Sequence, residues 1–376
     1  MKKILFRKLF RDYISFFLIA LFSSSIIIWV FQAVNYLDIM IEDGRDYIVY
    51  INYSLLNFPK IITRLFPFVL FFSLFYITTR YESNNELIIF WNFGVHKIEL
   101  TNFIIKISII LMIIQILLAT VAVPTSQDAA RDFLRTSNIN FYENFIKPQK
   151  FNDTIKGVTI YSESKDVDGK FNNLYLKKEN KDEFQITYAK KGIFKEFNKV
   201  PVLVLYDGQT ITGGISGITT FSFSKSDFPL NNFSTNSTTY KKTQELSSLQ
   251  LYECISSIYF LKIKKPDNNI ENCSLKNLNN IFKEIYKRLI IPFYIPLLSL
   301  IAFLLILSSK ENSNYNKIKM FTFLFGIFFI IFSETTVRLI SDNVFKNMLI
   351  TSIPYLSFFI LYIFMFKKLN FKSFSK

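Results

Sequence analysis

The chain has 376 residues, of which 50% are hydrophobic and 18% aromatic, and its mean hydropathy is +0.26. That length could hold two modest domains, but the apolar residues fall in long blocks, which excludes an ordinary soluble protein. The formal net charge of +15 would favour binding to nucleic acid or to an anionic membrane surface. The positions of the charges along the chain distinguish these two possibilities.

Six apolar blocks of about 20 residues predict membrane-spanning helices, because a helix of that length crosses the hydrocarbon core. Three precede and three follow a long polar stretch that has no apolar run of that length. The sequence therefore predicts an α-helical membrane protein with 3+3 spans and a domain inserted between them, divided as 1–123, 124–287 and 288–376. The predicted spans are 13–34, 61–79, 100–123, 289–307, 320–339 and 348–366.

The cations are concentrated in every second short loop and at both termini. Those segments contain Lys2, Lys3, Arg7, Lys8, Arg11, Arg80, Lys97, Lys310, Lys317, Lys319, Lys367, Lys368, Lys372 and Lys376. The opposite short loops contain only Arg45, Lys60 and Lys346 beside several acids. By the positive-inside rule, both termini lie in the cytoplasm and the inserted domain lies outside. The basic excess is then a topology signal, and nucleic acid is not expected as a partner.

The first apolar block is too long for the hydrophobic region of a signal peptide and lacks a small-x-small exit, so we expect it to remain as a span. Cys254 and Cys273 both lie in the insert, on the oxidising side by this topology. The sequence leaves two alternatives open for them, a disulfide and two free thiols.

The segment between the second and third spans predicts a short amphipathic helix at about 82–94. At helical spacing, Leu87, Phe90, Trp91 and Gly94 share one face. Two interpretations are open: a helix in the inner headgroup layer, or a coupling helix that docks in a groove of a cytoplasmic partner.

The insert begins with a predicted helix at 126–145 and continues as a β-rich region. Short, partly alternating runs separated by turn signals such as Asp207-Gly208 predict a β-sandwich or jelly-roll-like domain. A Ser/Thr/Asn-rich passage after residue 231 is typical of a linker, and helices are expected at 246–260 and 275–287. The predicted strands are 159–164, 173–178, 184–189, 192–197, 202–206, 209–212 and 219–224.

Most catalytic functions are excluded by composition. The chain has a single histidine, His96, which rules out His-ligated zinc clusters, and no nucleophile-elbow motif accompanies it. It has no Walker A segment and no Gly-rich dinucleotide loop. We therefore expect a protein that is not an enzyme and that binds no cofactor or metal itself.

Transport is the remaining class, and the nearly uncharged spans disfavour an ion pathway. Lys106 lies about one turn into the third span and can snorkel. A lipid-like substrate needs an apolar cavity with charges only at headgroup level, where Lys60, Arg64 and Arg338 face lipid phosphates or simply snorkel. Gln32, in the first span, is more often an inter-helix hydrogen bond than a ligand contact.

The ordered set of features resembles the LptF/LptG family, the paired permease subunits of the lipopolysaccharide ABC exporter. The likeness rests on Glu86-Leu87 followed by Gly94, on the exit of the third span at Pro124, on 185–192 in the insert, and on 284–288 with Pro292. It covers essentially the whole chain.

The resemblance implies a heterodimer with a second LptF/LptG-type subunit around an outward-facing cavity, with the first and fifth spans at the lateral gates. A cytoplasmic P-loop ATPase dimer (LptB-like), which carries the ATP and Mg²⁺, would receive the coupling helix. Glu86 would be the docking acid, supported by Glu82, Leu87 and Gly94. Lipopolysaccharide would leave the inner membrane for a periplasmic bridge of LptC/LptA-like proteins. The candidate headgroup residues are the cations Lys60, Arg64 and Arg338, chosen by charge and position, and Gln32 in the first span.

The first span lacks the basic residues expected at a phosphate-binding gate, which leaves the exact lipid open, and the sequence does not assign LptF against LptG. An alternative is a membrane scaffold or sensor whose outer β-domain binds a partner. A lipoprotein-release permease, with four spans and its outer domain after the first, does not match the hydropathy.

Overall fold

A computed structural model describes residues 2–37, 47–136, 146–155, 158–166, 169–180, 183–197, 200–214, 217–229, 241–259 and 273–371. The predicted linker after residue 231 and the end of the predicted 126–145 helix lie outside these ranges. The chain divides into two compact units. One comprises Met1–Val30, Asn57–Asp128 and Tyr240–Lys376, and the other comprises Phe31–Leu56 and Ala129–Thr239.

The helices of the described chain, numbered in order, are α1 (Lys2–Tyr36), α2 (Tyr47–Leu56), α3 (Phe58–Ser83), α4 (Glu86–Asn92), α5 (Lys97–Leu117), α6 (Val123–Thr136), α7 (Ser248–Tyr259), α8 (Leu278–Ile285), α9 (Tyr294–Phe303), α10 (Tyr315–Leu339) and α11 (Val344–Phe371). A π-helical turn joins α5 to α6, and a second one follows α8 on the way to α9. These turns let the third and fourth spans continue as helix beyond the apolar blocks, into the residues predicted as insert.

The prediction of six membrane-spanning helices is confirmed within the described residues. The helices that are long and apolar enough are Lys2–Tyr36, Tyr47–Ser83, Lys97–Leu134, Leu275–Leu307, Tyr315–Leu339 and Val344–Leu369. Each contains one of the predicted spans. The chain is therefore a multi-pass membrane protein, whereas the predicted domain limits at 123 and 287 remain predictions.

The fourth span forms the centre of the helical unit. Every residue of α9 is buried, and α9 packs against α3, α5, α10 and α11. Leucine, isoleucine and phenylalanine lie all around it, as expected of a helix surrounded by other helices. In contrast, α1 and α11 have few buried residues within their apolar windows, so their outer faces are available to lipid or to another subunit.

A buried glutamine compensates for the proline inside the second span. Pro67 of α3 has no N–H, so the carbonyl of Thr63, four residues earlier, loses its intrahelical donor. Gln115 of α5, 2% exposed, donates from Nε2 to the Thr63 oxygen at 2.8 Å. The requirement that a neighbouring helix satisfy the freed carbonyl is thus met by a polar residue that sequence reasoning did not single out.

We expect Gln115→Leu to destabilise the protein by about 1–2 kcal/mol, because it leaves the Thr63 carbonyl without a donor. The matched test is the same change in a Pro67→Ala background, where the introduced alanine supplies the missing N–H. Thermal unfolding in detergent of the four proteins gives the coupling energy. An equal loss of stability in both backgrounds would contradict this pairing.

The inserted β domain is confirmed as an antiparallel sheet. Its described strands are β1 (Asn152–Ile155), β2 (Val158–Lys165), β3 (Phe171–Asn180), β4 (Glu183–Phe197), β5 (Val200–Gly214) and β6 (Gly217–Pro229). They pair in sequence order from β1 to β6. The described connectivity is therefore an up-and-down meander, without the crossing connections of a jelly roll.

A crease crosses this sheet and explains where the strand prediction was wrong. Asn173 in β3 and Asp207 in β5 have left-handed backbone (φ 49° and 50°). Both lie opposite Lys190 of β4, and the pairing register is the same on either side of them. The predicted strands at 184–189 and 192–197 are consequently one strand, and so are those at 202–206 and 209–212. The turn signal at Asp207-Gly208 marked a bend within a continuous strand, and not a chain reversal.

The hydrophobic core of the sheet takes residues from both sides of the crease. At Gly192, a Cβ would collide with the side chain of Leu174, so the two halves approach closely there. The described strands form one sheet, in place of the two stacked sheets expected of a sandwich. The buried core residues are Ile146, Val158, Ile160, Phe171, Leu174, Leu176, Ala189, Leu203 and Leu205.

A disulfide joins α7 to the start of the fourth span. Cys254 and Cys273 are bonded, with their Cα atoms 5.8 Å apart, which decides between the alternatives left open above. Both pack in a small apolar cluster with Leu246, Leu251 and Ile281. The bond fixes the segment that immediately precedes the fourth span.

Candidate functional site

The short helix predicted between the second and third spans is present as α4. It is preceded by Asn85 in left-handed conformation (φ 60°) and followed by Gly94 at φ 73°. Leu87 and Phe90 are buried against the helical core, and Trp91 is partly buried there. The predicted apolar face therefore packs inward. Gly94 adopts the positive φ that ends the helix, a conformation that other residues rarely adopt.

The opposite face of α4 is also apolar, and it is exposed. Ile88, Ile89 and Phe93 are 44%, 45% and 46% exposed, and we call these three residues the α4 patch. Sequence reasoning missed the patch because it sought one apolar face only. Exposed aliphatic and aromatic side chains on a helix are typical of a surface that a partner covers.

Hydrogen bonds tie the end of α3 and the start of α5, the two helices on either side of α4, to the end of the fourth span and the loop after it. Glu82 accepts from the backbone N–H of Lys310 at 2.8 Å, and the Lys310 ammonium donates to the carbonyl of Ser83 at 3.1 Å. Just after α4, Lys97 donates to the carbonyl of Ile306 at 2.8 Å. Glu82 thus acts as an anchor within the chain, and both residues that flank α4 in these contacts, Glu82 and Lys97, are tied to the region where the fourth span ends.

Glu86 forms an ion pair with Lys8 of α1 at 2.9 Å. The hydrogen bond from Lys8 holds the pKa of the Glu86 carboxyl below its ordinary value, partial burial opposes that shift, and a weaker contact from Asn84 adds to it. The Glu86 side chain is 21% exposed and its partner 52%. Glu86 is therefore an ionised, partly accessible carboxylate beside the α4 patch.

A cavity of about 150 Å³ lies at the opposite end of the helical unit. It brings together Lys60 and Arg64, two of the predicted headgroup residues. Lys60 donates to Gln244 Oε1 at 3.3 Å. Gln115 also lines the cavity, and its Oε1 is buried without a hydrogen-bond partner among the residues that the structure describes. The charged and polar lining residues are Lys60, Thr63, Arg64, Gln115, Gln127, Gln244, Glu284, Lys287, Arg288 and Glu334.

The cavity wall is held by Arg288, which is 3% exposed. Its Nε donates to Glu284 Oε1 at 3.1 Å, and its Nη1 and Nη2 donate to the carbonyls of Leu246 and Gln244 at 2.9 and 3.0 Å. A further bond from Nη1 reaches Ser248 Oγ at 3.1 Å. Arg288 therefore fixes the segment before α7 to the fourth span, and its donors are directed at the protein.

The two other predicted headgroup residues are not among the residues lining this cavity. Arg338 is exposed on α10, one turn beyond Glu334, which does line it. Gln32 belongs to the other compact unit, where its Oε1 accepts a hydrogen bond from the Tyr36 hydroxyl at 3.3 Å. Gln115 was not grouped with Glu284 and Arg288 because it is far from them in sequence, and 284–288 was named only as part of the family resemblance.

The family model described as "Lipopolysaccharide export system permease LptF/LptG" matches residues 7–368. The match includes the six candidate spans almost entirely and the whole β-sheet. No curated protein matches the chain.

Proposed function

The chain belongs to the LptF/LptG family of lipopolysaccharide export permeases, and from that premise we propose that it is the membrane subunit of an ABC exporter driven by a separate ATPase. The observation that carries the proposal is the match over residues 7–368, which covers both the spans and the inserted sheet. In this role the chain moves lipopolysaccharide from the inner membrane to a periplasmic bridge of LptC/LptA-like proteins. ATP and Mg²⁺ bind to the ATPase and not to this chain.

The ATPase docks on α4. The α4 patch supplies the apolar contact, and Glu86 supplies a carboxylate for a cation at the edge of the ATPase groove. The bonds of Glu82 to Lys310 and of Lys97 to Ile306 support a mechanical role, because they connect the two helices that flank α4 to the end of the fourth span and the loop after it. Leu87 and Gly94 position α4, the first through packing and the second through its backbone conformation.

The cavity at the other end suits part of a lipopolysaccharide headgroup. Lys60 and Arg64 are the cations for phosphate, because the Arg288 donors are directed at the protein and Lys287 lies 3.9 Å from Glu284. The four cations lining the cavity outnumber its two carboxylates. Gln32 and Arg338 are proposed to contact lipid outside this cavity.

We place the protein in the bacterial inner membrane with both termini cytoplasmic and the sheet periplasmic. The distribution of cations supports this topology, and so does the disulfide, since disulfides persist in oxidising compartments. Labelling of single cysteines with a membrane-impermeant maleimide, in a Cys254→Ser/Cys273→Ser background, tests it. A Ser226→Cys variant should react in cells with a permeable outer membrane, and an Asn312→Cys variant only after lysis; the reverse pattern would contradict the topology.

Co-purification tests the ATPase dependence. The tagged chain, extracted from its native membrane in mild detergent, should bring down a P-loop ATPase and a second permease subunit in stable ratio. A chain that purifies without any ATPase, in a preparation that hydrolyses no ATP, would favour the scaffold alternative.

A further inference from the structure

A second concave surface lies between α1 and α5, near the N-terminal ends of both helices. It is a groove of about 530 Å³. Its floor is apolar, and three cations, which we call the groove cations, border it. The floor residues are Phe6, Phe10, Phe103, Ile107 and Ile110, and the groove cations are Lys3, Arg7 and Lys106.

Helical spacing produces this arrangement. Lys3 and Arg7 are one turn apart on α1, as are Phe6 and Phe10. The rings of Phe6 and Phe103 have centroids 4.6 Å apart, so the two helices are in contact at the floor. The groove is consequently formed by two helices that pack directly against each other.

The acids near the groove are already paired with other groups. Glu86 binds Lys8 at 2.9 Å, and Glu99 binds Lys2 at 3.3 Å. Asp12, the acid on α1, accepts a hydrogen bond from a tyrosine hydroxyl of α3 at 2.7 Å. Within the described residues, the groove cations form no ion pair or side-chain hydrogen bond. The sequence thus pairs one set of basic residues with carboxylates and leaves another set facing the groove.

The position of Lys106 indicates that the ligand of the groove is a lipid. It lies inside an apolar span and is exposed, where a charge is unfavourable unless it snorkels to the interface or meets an anion. A ligand that complements the groove must carry negative charge beside hydrocarbon. Basic pockets between membrane helices on the cytoplasmic side bind the headgroups of anionic phospholipids.

We propose that this groove binds an anionic phospholipid, with its phosphate among the groove cations and an acyl chain along the phenylalanine and isoleucine floor. The lipid comes from the leaflet at the N-terminal side, which is the cytoplasmic leaflet under the topology proposed above. Binding itself does not depend on the exporter function, so a failure of either proposal is visible separately.

Native mass spectrometry of the full-length chain in detergent tests the site, by titration with dioleoyl-phosphatidylglycerol and, separately, dioleoyl-phosphatidylcholine. The test variant is Lys3→Gln/Arg7→Gln/Lys106→Gln. Its control is Lys317→Gln/Lys319→Gln/Lys368→Gln, which makes the same charge change at basic residues that do not line the groove.

We expect the wild-type chain to prefer phosphatidylglycerol by about a hundredfold. The test variant should lose affinity for it by about a hundredfold, since each cation near the surface contributes about fivefold. Phosphatidylcholine binding should be unchanged, and the control variant should behave as wild type. Monodisperse elution and an unchanged Tm exclude misfolding as the cause of the loss.

Three results would overturn the proposal. One is undiminished phosphatidylglycerol binding by the folded test variant, and another is equal wild-type affinity for the two lipids. The third is displacement of the lipid by inorganic phosphate or by lipopolysaccharide at concentrations comparable to that of the lipid, which would assign the groove to a free anion or to the transported substrate.

Discussion

Replacing Arg288 by alanine is expected to lower the free energy of unfolding by about 3–5 kcal/mol, because removal of one member of a buried ion pair leaves the other charge without compensation. Glu284 loses its closest donor, and the carbonyls of Gln244 and Leu246 lose theirs. The segment before α7 would then detach from the fourth span and the cavity wall would open. We expect a fall in Tm of at least about 5 °C in detergent, together with loss of lipopolysaccharide export.

Two variants make this prediction specific. Arg288→Lys keeps the charge but not the planar fork, so we expect a partial loss of stability. Arg338→Ala removes an arginine that is exposed on α10, and its stability should lie within about 0.5 kcal/mol of wild type. An Arg288→Ala protein with the wild-type Tm would show that the Arg288 hydrogen bonds do not hold the cavity wall.

The second large effect is expected at Glu86, where alanine should reduce the co-purified ATPase by at least about tenfold, the loss that corresponds to one charge-assisted contact of about 1.4 kcal/mol. Lys8→Ala separates two roles of Glu86. If Glu86 docks the ATPase, Lys8 competes for the same carboxylate, and Lys8→Ala should leave association equal or stronger. If Glu86 only anchors α1, both variants should weaken association alike.

Neither change should unfold the protein, because an ion pair this exposed contributes at most about 1 kcal/mol. Glu99→Ala is the matched control, since Glu99 forms a similar pair with Lys2 but lies outside α4. Full association of Glu86→Ala with the ATPase would remove Glu86 from the docking surface and leave the α4 patch as the proposed contact.

The pKa of Glu86 gives these variants a pH dependence. A carboxylate whose pKa is lowered by Lys8 keeps its docking contact above that pKa and loses it as pH falls through it. Lys8→Ala removes the main cause of the shift, so the loss of ATPase association on acidification should begin at a higher pH than in wild type. Glu86→Gln should show no loss of ATPase association on acidification over this range. If association in Lys8→Ala is lost at the same pH as in wild type, the assignment of the pH dependence to Glu86 is contradicted.

The spans, α4 and the inserted sheet were predictable because each depends on a local period: blocks of about 20 apolar residues, a helical face at Leu87 and Phe90, and alternation in the strands. The bend at Asp207 was predicted as a turn between two strands, since sequence does not distinguish a left-handed bend from a chain reversal. The left-handed conformation of Asn173, the first residue of a predicted strand, was not predicted. The cavity was not predictable as a unit. Gln115, Gln244 and Arg288 meet only after the helices pack, and the partner of the Thr63 carbonyl is chosen by that packing.

The central claim is that this permease moves lipopolysaccharide with energy from an ATPase docked on α4. The most direct measurement is transfer of lipopolysaccharide from liposomes, containing this chain with its second subunit and the ATPase, to a soluble periplasmic acceptor that carries a photocrosslinker. The account predicts crosslinked lipopolysaccharide that accumulates only with ATP and is strongly reduced by Glu86→Ala. A complex that hydrolyses ATP but transfers no lipopolysaccharide, or one whose transfer ignores ATP, would contradict it.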